Sequence, residues 1–176
     1  MKLKTWIALP GMAAVLNMGV AGAENDVDTV AEPEAACISR DPNLSDSAFW
    51  ATSAVELFSK KQFAEAVATV DACFVQWGPA GGHQQKALHD EGQKCPRTGQ
   101  VSKKQKLKID RNGLLNDVSL ALWAKARSLD ELGQIEPAKQ AYAQCIYMTC
   151  GRAWDPNGWF WSPAEDCAEQ ARKLLK

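Results

Sequence analysis

The sequence predicts an all-α fold assembled from paired helices, and three observations carry that expectation. Apolar residues recur at spacings of three and four from Trp50 to Phe74, and again from Leu115 to Ile146. Gly, Pro and polar breaks fall between those runs. No segment shows the alternating β-branched pattern of strands.

Taken in order, Asn43 to Asp46 offer helix-capping residues ahead of Trp50, Ala54, Leu57 and Phe58, which share one helical face. Ser59-Lys60-Lys61 breaks that run. Phe63, Ala66, Val67, Val70, Cys73 and Phe74 make the next face. Trp77-Gly78-Pro79-Ala80-Gly81-Gly82 is expected to end the helix, because Pro cannot continue it and Gly supplies a turn. Residues 81–113 then read as a polar, basic insertion, a loop with a short helix near Ser102 to Ile109 that Ser102 and Gln105 can cap. Leu115, Val118, Leu122, Ala126 and Leu129 restore the helical period. Leu132-Gly133 turns the chain, and Ile135, Ala138, Tyr142, Cys145 and Ile146 continue on another helix. Gly151 to Trp161 is a loop, with Asp155-Pro156-Asn157-Gly158 suited to a type I turn. Ser162-Pro163-Ala164-Glu165 opens a last helix with an N-cap, Pro at the first position and a capping-box Glu. Its buried face would be Ala164, Cys167, Ala168, Ala171 and Leu174 or Leu175.

The two hairpins can be laid over each other. Ala54, Leu57, Phe63, Ala66, Val70 and Cys73 follow the same intervals as Ala126, Leu129, Ile135, Ala138, Tyr142 and Cys145. A small residue on the first helix lets the second approach, and larger residues interlock around it. This spacing resembles the tetratricopeptide (TPR) repeat. The implied fold is two degenerate TPR-like helical hairpins with an insertion and a C-terminal capping helix, over residues 45–176. Both copies depart from the repeat: Ser53 and Lys125 replace its usual Leu, and both place Cys where it ends on Ala. Gly113-Leu114-Leu115-Asn116-Asp117-Val118 and Trp154 to Glu165 further resemble a family of small exported bacterial TPR proteins, some labelled glucanase precursor. That resemblance implies fold and location, and brings no catalytic residue.

Residues 1–23 read as a signal peptide. Lys2 and Lys4 precede an apolar stretch, Trp6 to Val20, and Ala21-Gly22-Ala23 supplies a cleavage site, so a periplasmic or secreted location is expected. The stretch is too short and broken for a stable membrane anchor, and no Cys at the cleavage point suggests lipidation. Cleavage leaves about 153 residues with a net charge of about −3, enough for one domain and no footprint for nucleic acid. Residues 24–44 form an acidic arm, expected to be flexible. Its charge opposes the basic insertion, which either is simply solvated or meets an anionic partner.

All six cysteines, Cys37, Cys73, Cys95, Cys145, Cys150 and Cys167, follow the cleavage site. In an exported chain an even number reads as disulfides, and none forms the compact C-x-x-C pattern of a zinc site. Cys150 with Cys167 is the preferred pair, closing a loop of about 18 residues worth about 3 kcal/mol. Cys95 would reach Cys37 or Cys145, while Cys73 and Cys145 fit interior positions as small apolar residues.

Trp154, Trp159, Phe160 and Trp161 form the candidate partner-binding cluster. Its rings either make a platform for peptide or sugar, or plug the open end of a short stack. Trp50 and Trp123 fit the core, and Trp77 packs under a turn. Asp155, Glu165 and Asp166 lie near the cluster, but glycoside hydrolysis needs two carboxylates on a rigid cleft, and Glu165 already serves as a cap. His83 and His89 lack a ligand set at helical spacing, so no catalytic residue, metal or cofactor is expected. The leading expectation is a non-catalytic adaptor for an unknown protein of the cell envelope. The alternative is a module binding polysaccharide, of the cell wall or glucan-related, through the Trp-rich loop.

Overall fold

The computed structural model describes residues 37–175; the expected signal peptide (1–23) and most of the acidic arm lie outside them. Six helices and one small hairpin follow in order: α1 (Asp46–Ser59), α2 (Phe63–Asp90), α3 (Lys103–Arg111), α4 (Gly113–Glu131), α5 (Ile135–Tyr147), β1 (Ala153–Asp155), β2 (Trp159–Trp161) and α6 (Pro163–Lys173). Among the described residues, no helix is long and apolar enough to cross a membrane.

Helix α1 starts where Ser45 accepts a hydrogen bond from Ala48 N at 3.2 Å. Its buried stripe is Trp50, Ala51 and Ala54, and the Trp50 indole donates to the Thr69 carbonyl of α2. A full ring thus enters the core without stranding its N–H. The turn into α2 uses Lys61 at φ 62°, and the turn from α4 into α5 uses Gly133 at φ 69°. Both turns carry the same ladder. Lys60, Lys61 and Gln62 N donate to the Glu56, Phe58 and Leu57 carbonyls, and Leu132, Gly133 and Gln134 N to the Ser128, Asp130 and Leu129 carbonyls. The spacing noted in the sequence is therefore matched by equal backbone geometry. The paired positions Ala54 and Ala126, Ala66 and Ala138, Val70 and Tyr142, and Cys73 and Cys145 are all buried.

The expected end of α2 at Trp77 to Gly82 is wrong: the helix continues through Pro79 to Asp90. An interior proline forfeits a hydrogen bond and costs about 3 kcal/mol. Tertiary packing offsets it. A side chain at Gly81 would come within 2.8 Å of Val118 Cγ2, so its absence lets α2 close on α4. Beyond it, Gln84 Oε1 accepts Leu115 N, and buried Gln85 accepts Cys150 N at 2.9 Å while donating to Thr149 Oγ1. The insertion therefore begins about ten residues late, and its short helix is α3, capped by Ser102 as expected.

Helix α4 is central, packing on α1, α2, α5 and α6. One apolar face is legible in its sequence. In the structure Ser119, Ala121, Ala124 and Ser128 are buried as well, because small residues let neighbours approach on the other sides. Helix α6 has Ser162 accepting Glu165 N and Pro163 in its first turn, and buries Ala164 and Cys167.

Three disulfides join Cys37 to Cys73, Cys95 to Cys150 and Cys145 to Cys167. The expected Cys150–Cys167 bond does not form, and Cys95 reaches neither Cys37 nor Cys145. Cys167 sits on the face of α6 that packs on α5, and Cys145 meets it there. Cys150 lies beyond the end of α5, where Gln85 holds its N–H beside the 93–96 segment. Closing these loops is worth about 3 to 4 kcal/mol each by chain entropy.

Candidate functional site: the tryptophan hairpin

The Trp-rich segment is a two-stranded antiparallel hairpin, pairing Ala153 with Trp161, Trp154 with Phe160 and Asp155 with Trp159. The absence of strands expected from the sequence fails here, because three-residue strands are too short to show alternation. Asp155 makes the turn. Its carboxylate accepts Asn157 N at 2.8 Å, its carbonyl accepts Gly158 N at 2.9 Å, and Gly158 takes φ 106°, a conformation that favours glycine.

A hairpin this short does not hold itself together in water. Its support comes from the 93–102 segment. Gly99 exchanges both backbone hydrogen bonds with Phe160, at 2.7 and 3.0 Å. The Cys95–Cys150 bond ties the same segment to the residues before β1. Buried Arg152 completes the clamp: Nε and Nη2 donate to the Pro96 carbonyl at 2.8 and 2.6 Å, and Nη1 to the Thr149 and Gly151 carbonyls. Burial lowers the Arg152 pKa, with Glu165 opposing that shift. Asn116 Oδ1 accepts Arg152 N. The insertion is thus a structural brace for the hairpin.

The four aromatic residues do not form one platform. Trp154 and Phe160 share one side, with ring centroids 4.9 Å apart; Phe160 is buried and Trp154 is 56 % exposed. Alternation puts Trp159 and Trp161 on the other side. Trp161 packs edge-on against Trp123 at 5.3 Å, Trp123 against Phe58 at 5.2 Å, and Phe58 against Phe63 at 5.6 Å. Arg127 lies over both Phe58 and Trp123, and Asp166 accepts the Trp123 indole at 2.7 Å and Arg127 at 3.2 Å. Phe160 and Trp161 therefore anchor the hairpin, the first by burial and the second against Trp123 of α4. Trp154 and Trp159, the latter 40 % exposed, remain outside.

Beside Trp161 an open depression of about 440 Å³ is lined by Thr98, Gly99, Phe160, Ser162 and the α6 carboxylates Glu165, Asp166 and Glu169. Of the sequence candidates for a carboxylate pair, Asp155 is held by its turn and Asp166 by Trp123 and Arg127. Among the described residues no group of three or more His, Cys, Asp and Glu side chains converges as metal ligands. The aromatic lining of that depression is Phe160 and Trp161, while the exposed indoles Trp154 and Trp159 lie outside it. Arg127, Arg152, Gly99 and Glu169 escaped the sequence reading, since their roles depend on contacts distant in the chain. A basic residue two positions after a cysteine carries no signal that it will be buried. No protein-family model, curated protein or solved structure matches the chain.

Proposed function

We propose that this chain is an exported, non-catalytic interaction module of the TPR type that takes a protein partner on the tryptophan hairpin. The observation that carries this reading is the contrast within the hairpin. Its backbone is clamped by a disulfide, a buried arginine and a bridge to Gly99, yet Trp154 and Trp159 stand exposed. Tryptophan is favoured at the centre of interfaces, and a backbone fixed before binding loses little entropy on association. The neighbouring carboxylates favour a segment carrying lysine or arginine.

The matched turns at Lys61 and Gly133, with burial shared at four of the six equivalent positions, support the TPR-type assignment. Three disulfides suit an oxidising compartment, which supports export. Photo-crosslinking from position 159 in cells tests the function. One reproducible partner, lost in the Trp154→Ala/Trp159→Ala variant and retained in Val75→Ala on a remote exposed surface, is the expected result. Equal capture by the double variant refutes it.

The same exposed rings favour a second reading, a module binding polysaccharide, because indole faces stack on sugars. Sedimentation with insoluble glucan or peptidoglycan, abolished by Trp159→Ala with helicity retained, would select it over a protein partner.

A further inference from the structure

A second candidate site borders the Cys95–Cys150 bond and uses none of the hairpin rings. A cavity of about 130 Å³ is lined by Leu88, Gln93, Lys94, Pro96, Lys108, Arg111 and Asn112, with the two cysteines at its floor. Three cationic side chains converge there, and none of the lining residues is acidic. Lys108 and Arg111 are three residues apart on α3, which puts them on one face. Lys94 comes from the segment between α2 and α3.

These cations have no carboxylate partner within salt-bridge distance among the described residues. The nearby acids are occupied: Asp110 holds Lys106 at 2.8 Å, Asp90 holds Lys86, and Glu91 accepts the Gln93 amide at 2.9 Å. Like charges gathered without counter-charge repel, and such an arrangement gains stability from a bound anion.

Asn112 supplies an independent sign. It is only 8 % exposed, yet its side-chain amide makes no hydrogen bond in the described residues, and it lines this cavity. The amide is not sealed from solvent, so it is open to a ligand in the cavity. Asn112 is also the residue before α4 and gives that helix no side-chain cap, while Gln84 Oε1 accepts Leu115 N in its first turn. An amide beside three cations is suited to oxygen ligands carrying negative charge.

We infer that this cavity binds a small tetrahedral anion of the phosphate class, free or as a phosphate monoester. The volume suits one such group with a few waters. The Arg111 guanidinium offers a planar fork, the two lysines add point charges, and the Asn112 amide donates one directed hydrogen bond. The disulfide floor keeps the 93–96 segment in position, so the site depends on oxidation of Cys95 and Cys150.

The test is an amide NMR titration of the oxidised protein with inorganic phosphate, matched against sodium chloride at equal ionic strength. Saturable shifts confined to the Asn112 side chain, Gly113 and the 93–96 segment are expected. Arg111→Ala should weaken binding about tenfold or more, the loss of a charge-assisted hydrogen bond pair. Lys108→Glu, an exposed substitution that leaves the helices intact, should abolish it. Shifts that stay linear through millimolar phosphate, or that chloride reproduces, overturn the inference. So does equal affinity in Arg111→Ala, or binding to acidic phospholipid vesicles with none to inorganic phosphate.

Discussion

Asp117 offers a direct measure of how tightly α1 and α4 are packed. Its carboxylate faces the start of α1, where the Ser47 hydroxyl donates to Oδ2 at 2.7 Å. Burial raises its pKa from 3.8 to about 6, and the Ser47 hydrogen bond offsets part of that rise. A carboxyl whose folded pKa is raised binds its proton more tightly in the folded state. The stability it confers is therefore fully present below 3.8 and is lost as pH rises through about 6. At neutral pH the ionised group opposes folding by at most about 3 kcal/mol, and residual solvent screening brings the expected figure to about 1 to 2 kcal/mol. Asp117→Asn removes the charge and still accepts the Ser47 hydroxyl. Urea unfolding with the disulfides intact should show the variant about 1 to 2 kcal/mol more stable than the parent at pH 7.5 and equal to it near pH 4. Equal stability at both pH values would refute the reasoning, as would a variant less stable at pH 7.5. Stabilisation of the same size at both pH values would move the cause from ionisation to packing.

Other perturbations separate the anchors from the exposed rings. Trp161→Ala should cost about 3 to 5 kcal/mol in chemical denaturation, since it opens a hole against Trp123; Trp159→Ala should change stability by about 0.5 kcal/mol or less. Arg152→Met keeps most of the side-chain volume but leaves the Pro96, Thr149 and Gly151 carbonyls unpaired. It should cost about 2 to 4 kcal/mol and speed hydrogen exchange at Gly99 and Phe160. Lys61→Gly should stabilise by up to about 1 kcal/mol and Gly133→Lys destabilise by about as much, read from urea midpoints, because both positions hold a left-handed backbone.

What the sequence reading could reach followed the range of the interactions. The period of three and four, the Leu132-Gly133 turn, the Asp155 to Gly158 turn and the Ser162 cap are decided by neighbours in the chain, and the fold has them where the residues indicate. Pro79 misled because its local penalty is outweighed by Gly81 against Val118 and by Gln85, contacts made with residues about 40 and 65 positions away. The disulfide pairing was out of reach for the same reason. Six cysteines allow 15 pairings, and sequence distance favoured Cys150 with Cys167, whereas helix packing brings Cys145 to Cys167. At the hairpin, four aromatic residues in one segment were legible as a cluster. Their division into two anchors and two exposed rings needed strand alternation and the positions of Trp123 and Gly99.

The disulfide positions also show how each hairpin is fastened to its flank. Cys73 and Cys145 occupy equivalent places on the second helix of each hairpin, and each bonds outward to a flanking segment: Cys37 before α1, and Cys167 in α6. A covalent staple thus lies beside each hairpin. Cys95–Cys150 does a different task, fastening the insertion under the tryptophan hairpin. Reduction should therefore act in two ways. Losing the first two bonds removes stability from the helical layers, while losing Cys95–Cys150 alone should release the hairpin and the anion cavity together, with the six helices still paired.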